Sequence, residues 1–240
     1  MLMVWTVKLQ MKSKFSRWKM IKGIIFDLDG VITDTAKLHY KAWKEIVNEL
    51  GIDYSKEENE KLRGLPRRDT LLAIFELKKF KHNFDDQKIN ELCTKKNELY
   101  LSYLKKYINK DSLLEGIEQF LKDLKKDKIK IAIASSSLNA PLILEKLGVI
   151  NYFDVIVNPV EVKKGKPAPD IFLLAQEQLK LKKEECVGIE DAVVGVEALN
   201  KANIKSIAIT NGNNNLFQKA TLLVQDTSKL IWDLIKPILF

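Results

Sequence analysis

Residues 24–30 read Ile24-Ile25-Phe26-Asp27-Leu28-Asp29-Gly30, and their reading decides the fold. Three apolar residues stop abruptly at a carboxylate, a second carboxylate follows two positions later, and a glycine closes the run. A short apolar run without polar alternation is the pattern of a strand buried on both faces of a parallel sheet. Open parallel sheets bind ligands at the carboxyl ends of their strands, so acids at such an end read as site residues. Taken alone, Asp-x-Asp-Gly is common in turns, and its glycine falls too early for a calcium-binding EF-hand loop. The rest of the chain is what gives it weight.

Working outward, apolar runs recur at 129–134, ending at Ser135; at 153–157; at 186–189, ending at Glu190; and at 206–209, ending near the turn pair Asn211-Gly212. Helical stretches lie between them. Leu138–Leu147 ends at Gly148, suited to a helix C-terminus. Asp170 is placed to cap Ile171–Leu179 after Pro167 and Pro169. Ala192–Ala202 is a small-residue helix able to pack closely on a sheet. The region from about 37 to 106 breaks this rhythm: it contains no convincing strand and reads as amphipathic helices over Ala36–Leu50, Asp69–Phe80 and Asp85–Tyr107. The expected fold class is α/β, a doubly wound parallel sheet with a Rossmann-like core and an inserted all-helical domain.

The 240 residues suffice for one large domain or for a core with a smaller insert. No apolar run reaches the ~18 residues of a membrane-spanning helix, so a cytoplasmic protein with no membrane partner is expected. Cys93 and Cys186 build neither a disulfide framework nor a CxxC zinc site. Of the net charge of +8, six units fall within residues 1–22, which hold no acid. The body therefore carries no basic stripe, and nucleic acid is not an expected partner. Residues 1–20 mix apolar and basic side chains, open to reading as an interrupted signal peptide, an amphipathic surface helix or an extended start upstream of Met20. The last is favoured, with a loosely attached extension expected.

Asp27, Asp29, Glu190 and Asp191 would all face one crevice at the strand ends. Four carboxylates crowded together raise one another's pKa values unless a cation compensates. An oxygen-loving ion such as Mg²⁺ fits, with a bound phosphate completing its octahedron. Ser135 and neighbouring backbone N–H groups are suited to phosphate oxygens. Lys166, in the stiff stretch Gly165-Lys166-Pro167-Ala168-Pro169, can supply a fixed ammonium.

These residues resemble the haloacid dehalogenase superfamily of phosphotransferases. FDLDGVITDT is similar to its first motif, SSSLNAP carries the serine of the second, GKPAPDIF the lysine of the third, and GIEDAVVGVEA the acidic pair of the fourth. The resemblance runs from Ile21 to about Lys236. It implies a core of residues 21–36 and 107–240 and a cap of residues 37–106. It also implies that Asp27 becomes an aspartyl phosphate and that Asp29 is the general acid/base. Asp27, the backbone carbonyl of Asp29, Glu190 and Asp191 would hold Mg²⁺, and Ser135, Ser136 and Lys166 would grip the transferring phosphoryl group.

Within the superfamily, His39 and the stretch Leu62-Arg63-Gly64-Leu65-Pro66-Arg67 resemble the β-phosphoglucomutase subgroup. There a hinge histidine precedes a basic residue, a glycine and an arginine on the cap. Arg67, with Asn139, would bind the phosphate that is not being transferred, since a guanidinium grips phosphate bidentately. The implied partner is a small-molecule sugar phosphate, and the implied state a monomer. The implied reaction interconverts β-D-glucose 1-phosphate and glucose 6-phosphate through β-glucose 1,6-bisphosphate. A phosphatase of the same superfamily, acting on a sugar phosphate or phosphoglycolate, is the alternative. Three positions depart from the subgroup: Leu138 and Arg63 stand where lysine is usual, and Ala192 where serine is common.

Overall fold

The computed structural model describes residues 21–62 and 64–239. Residues 1–20, and with them the expected extension, lie outside the described residues, as does Arg63.

The chain opens with β1 (Gly23–Phe26), all four residues buried. Four helices of the insert follow: α1 (Ala36–Asn48), α2 (Lys56–Lys61), α3 (Arg67–Leu77) and α4 (Asp86–Tyr107). Then come α5 (Ile117–Lys126), β2 (Lys130–Ile133), α6 (Ala140–Leu147), β3 (Val155–Ile156), α7 (Asp170–Gln178), β4 (Cys186–Glu190), α8 (Val193–Ala202), β5 (Lys205–Ile209), β6 (Leu222–Val224) and α9 (Trp232–Leu239). The sheet is parallel in the order β3-β2-β1-β4-β5-β6. β1 is thus interior, with β2 and β4 on either side.

Burial on both faces explains why β1 reads as continuously apolar. Ile24 and Phe26 pack into one core with Ile131, Ile133, Val187 and Ile189. Ile25 faces a second core with Ala132, Phe172 and Leu199. β1 therefore feeds two cores alternately, and neither of its faces meets water. Helix α8 comes close to β4 because residue 188 is glycine: a Cβ there would fall well inside contact distance of the Leu199 side chain, itself fully buried.

The four-helix insert has a core of its own, including Trp43, Tyr54, Leu71, Ile74, Phe75 and Leu92. Its helix starts are locally encoded. Ser55 caps α2 in a reciprocal box with Glu58, and Asp85 caps α4 by accepting from the Lys88 N–H at 2.8 Å. The C-terminal half of α4 seats the insert on the main core through Tyr100, Tyr103 and Leu104. The outgoing and returning chains lie side by side. Leu114 N–H donates to the Ile32 carbonyl at 3.0 Å, and Thr33 Oγ1 donates to the Ser112 carbonyl at 2.7 Å.

Several sequence expectations are corrected. Asp170 does not cap α7; it is the first residue of the helix, after Pro169, with no side-chain capping bond. The expected helix at 69–80 begins two residues earlier, so Arg67 opens α3 rather than sitting in a loop before it. The strand expected over 153–157 shortens to Val155–Ile156. Helices α2, α5 and α9 and the strand β6 were not expected. β6 has three residues, too few for a periodic signal.

A methyl group at position 188 has no space between β4 and α8. Gly188→Ala is expected to destabilise the protein by about 1–3 kcal/mol through overpacking. The check is a lowered urea midpoint with an unchanged denaturant slope.

Candidate active site

The site forms where β1 and β4 end. The Asp27 N–H donates to the Ile189 carbonyl at 3.0 Å, which continues the ladder one residue past β1 and fixes the direction in which the Asp27 carboxylate leaves the sheet. The chain then turns sharply: Gly30 has φ +78°, and the N–H of Ile32 returns to the Leu28 carbonyl at 2.9 Å. Leu28, Val31 and Ile32 are buried beneath the turn, so the loop is anchored by apolar contacts.

Glu190 is the last residue of β4 and is fully buried. Its Oε2 accepts from the N–H groups of Asp191 (3.1 Å) and Ala192 (3.2 Å), the donors that lead into α8. Gly195, on the first turn of α8, leaves the carboxylate its place: a Cβ there would collide with both carboxylate oxygens. One oxygen each from Asp27, Glu190 and Asp191 lie within 4.8 Å of one another.

Lys166 lies far away in sequence, inside the turn closed by the Ala168 N–H donating to the Gly165 carbonyl, at a cis Lys166–Pro167 bond, and is buried. Its Nζ lies 2.5 Å from Asp27 Oδ1 and 2.5 Å from Glu190 Oε1. Burial alone would depress the lysine pKa, but Asp27 and then Glu190 outweigh it and hold the ammonium above its ordinary value. Burial pushes the Glu190 carboxyl up, and the Lys166 charge works against that rise. Ser135, buried at the end of β2, accepts from the Ser137 N–H at 3.1 Å. These expected residues do converge.

The remaining sequence candidates fall in two places. Asp29 is turned away from the carboxylate trio: its Oδ1 accepts from the Thr35 N–H at 3.2 Å and from the Thr35 hydroxyl. Its Oδ2 lies 3.9 Å from His39 Nε2. On the opposite wall, Arg67 and Asn139 both reach Asn97 on α4. Ser136 donates to the Gly64 carbonyl of the insert at 3.1 Å, so here it bridges core and insert. A single cleft is lined by Asp27, Asp29, His39, Arg67, Ser135, Asn139, Lys166, Glu190 and Asp191.

Four residues of this region were missed in the sequence: Thr35, Lys96, Asn97 and Tyr100. Tyr100 OH lies 2.8 Å from Thr35 Oγ1, and its ring packs on His39 with centroids 4.0 Å apart. Lys96 is 2% exposed, with Nζ 2.7 Å from His39 Nδ1. Burial, reinforced by Arg67, lowers its pKa to about 7. When charged, Lys96 only donates, which puts the imidazole proton on Nε2, toward Asp29. A signal was present. Ile89, Leu92, Cys93, Lys96, Tyr100 and Tyr103 are buried at helical spacing, so the lysine sits on the apolar stripe of α4.

The donor set suits a hard divalent cation. Three carboxylates approach one point from different segments, and an ion needing oxygen ligands would relieve their mutual repulsion. The Asp29 carboxylate does not belong to that trio.

Comparison with known proteins places these features in a family. The model of haloacid dehalogenase-like hydrolases matches residues 24–209. The chain is 40% identical over 215 residues to the β-phosphoglucomutase of Bacillus subtilis, covering 90% of this chain and 94% of that one. It is 31% identical over 189 residues to a phosphorylated carbohydrates phosphatase of Thermotoga maritima, covering 78% and 84%. The crystal structure of β-phosphoglucomutase from Clostridium difficile superposes with a TM-score of 0.88 at 39% identity, covering 92% of this chain and 97% of that chain.

Two outcomes follow from the geometry. Gly195→Ala displaces the Glu190 carboxylate and is expected to weaken divalent-cation binding at least about tenfold, the order of loss seen when a ligand's supporting contacts are removed. Calorimetric titration with Mg²⁺ reads this. Lys96→Met removes a lysine whose folded pKa lies below its unfolded value. Between about pH 7 and the ordinary value of 10.5, the unfolded chain holds a proton that the folded one has released, so wild-type stability gains with rising pH in this window. The stability advantage of Lys96→Met over wild type is therefore greatest below pH 7 and shrinks toward pH 10, as urea midpoints across that range will report.

Proposed function

Because the chain belongs to the haloacid dehalogenase-like hydrolase family, and is an enzyme of it, we propose that it is a β-phosphoglucomutase. It interconverts β-D-glucose 1-phosphate and glucose 6-phosphate through an aspartyl-phosphate enzyme and β-glucose 1,6-bisphosphate. The observation that carries this reading is the pairing of two polar centres across one cleft. One is the Lys166–Asp27–Glu190 cluster with Ser135 at the sheet end; the other is Arg67 of the insert and Asn139 of the core, which meet at Asn97. A phosphatase needs to grip only the phosphate it removes, whereas a bisphosphate intermediate that turns over needs a second phosphate site.

In this reading Asp27 attacks phosphorus. Lys166 and Ser135 hold the phosphoryl oxygens in line, which is where most of the rate advantage of phosphoryl transfer arises. Asp29 takes the proton from the attacking sugar hydroxyl and returns it to the leaving one. His39, with its Nε2 facing Asp29, and Thr35 hold that carboxyl in place. Ser136 joins Ser135 at the phosphoryl group after giving up the Gly64 carbonyl. Arg67, Arg63 and Asn139 clamp the distal phosphate.

Mg²⁺ is the proposed cation, held by Asp27, Glu190, Asp191 and the Asp29 backbone carbonyl. When bound, it neutralises charge on the transferring phosphoryl group. Residues 37–106 act as a cap over a core of residues 21–36 and 107–240. Among the described residues no helix is long and apolar enough to cross a membrane. We place this activity in the cytoplasm, in a monomer.

A second reading, a sugar-phosphate phosphatase, draws support from Leu138. It is 51% exposed at a position where the subgroup usually has a lysine beside the distal phosphate. Closure of the cap separates the two readings, since it excludes water from the aspartyl phosphate.

The deciding measurement is the ratio of glucose 6-phosphate to inorganic phosphate formed from β-D-glucose 1-phosphate with a trace of bisphosphate. For the mutase, wild type yields mostly glucose 6-phosphate. Arg67→Ala both weakens productive binding and shifts the product toward free phosphate. Phosphate release at nearly every wild-type turnover, unchanged in Arg67→Ala, leaves the phosphatase standing instead.

A further inference from the structure

Arg67 opens α3, Asn97 lies midway along α4, and Asn139 precedes α6. The three side chains belong to different segments yet meet at one atom. Arg67 Nη2 is 2.7 Å from the Asn97 carboxamide, and Asn139 is 3.0 Å from the same Asn97 atom. A guanidinium has N–H donors and no acceptor, so the Asn97 atom it meets is the oxygen. The Asn139 atom facing that oxygen is then its amide nitrogen. One oxygen thus takes a cationic donor from the insert and a neutral donor from the core, as a phosphate oxygen does at a binding site.

Charge makes the arrangement particular. Asn97 is neutral, and no carboxylate among the described residues pairs with Arg67, whose pKa is lowered by burial. An aspartate in the same place would satisfy Arg67 with an ion pair and repel any incoming anion. An apolar side chain would leave both donors without an acceptor in a half-buried wall.

We propose that Asn97 is a positioning residue whose carboxamide oxygen stands in for an oxygen of the distal phosphate. It holds Arg67 and Asn139 converged on one point until substrate displaces it. The inference rests on reading Arg67 and Asn139 as the distal-phosphate clamp. A neutral stand-in keeps the two donors aimed without competing strongly with a dianion. It also bridges insert to core near the Ser136–Gly64 bond, so the clamp is set with the two walls already in contact.

The test is calorimetric binding of glucose 6-phosphate, with Mg²⁺ present, to the full chain and to Asn97→Asp and Asn97→Ala. Thermal melts check folding, and the wild-type product assay is run alongside. Asn97→Asp is expected to bind about twentyfold or more weakly and Asn97→Ala about three- to tenfold, because a fixed carboxylate both occupies Arg67 and repels the ligand. Should Asn97→Asp not fold, Asn97→Gln replaces it and is expected to bind more weakly than wild type, its oxygen being moved by one methylene. A residue serving only to pack α4 would make Ala and Asp equally harmful. Equal losses, or Asn97→Asp within twofold of wild type, overturn the inference. The mutase reading fails separately: if the expected order of affinities appears but wild type makes no glucose 6-phosphate, the clamp and its stand-in survive and the assigned reaction does not.

Discussion

The Lys166 ammonium, buried between the carboxylates of Asp27 and Glu190, is the interaction on which the site depends. Two acids and a lysine withdrawn from water are each costly, and they persist because each compensates another. Losing Lys166 would leave two carboxylates facing each other with no cation between them. Much of the neighbouring structure serves this triad. The ladder between β1 and β4 sets the spacing of Asp27 and Glu190, and the N–H groups leading into α8 satisfy the other Glu190 oxygen. Gly195 and Gly188 then let α8 approach its strand at both ends of the contact. One glycine admits a carboxylate and the other admits a leucine, so the geometry of the acidic cluster and core packing share a helix.

The insert is tied to this site by polar contacts as well as by its seat on the core. From Asp29, one path runs through Thr35 to Tyr100, and another through His39 to Lys96. Both end on α4, the helix that also carries Asn97. In the proposed mutase, the acid/base residue and the distal clamp would therefore answer to the position of one helix. Phosphoryl transfer depends on positioning and charge neutralisation more than on covalent chemistry, and an insert that orders both sides of the cleft supplies the positioning.

Much was legible in the sequence, and the reasons are local. Strand ends appear as apolar runs stopping at Asp27, Ser135 and Glu190, since strands packed on both faces are mostly apolar up to their carboxyl ends. The strandless stretch after β1 is equally visible from helical spacing. The acids were assigned to one crevice because parallel strands share one carboxyl end, and the structure gathers Asp27, Glu190 and Asp191 there. Other features had weaker signals. β6 is too short for a period to register, and Asp170 has the chemistry of a cap but falls inside the helix, where its side chain finds no N–H to accept from.

What only the tertiary structure decided is which side chains meet across long stretches of chain. Lys166 and Asp27 are 139 residues apart, Tyr100 and Thr35 are 65 apart, and Asn139 and Asn97 are 42 apart. Lys96 on the stripe of α4 marks a buried charge, but spacing alone does not say that His39 receives it. Asn97 carries no local mark at all: its importance comes from the packing of α3, α4 and the start of α6 around a single oxygen. Sequence determines backbone periodicity and where polar residues leave an element, because those are set by neighbours within a few positions. The convergence of donors on one atom is set by how the insert is seated on the sheet, and that is a property of the folded whole.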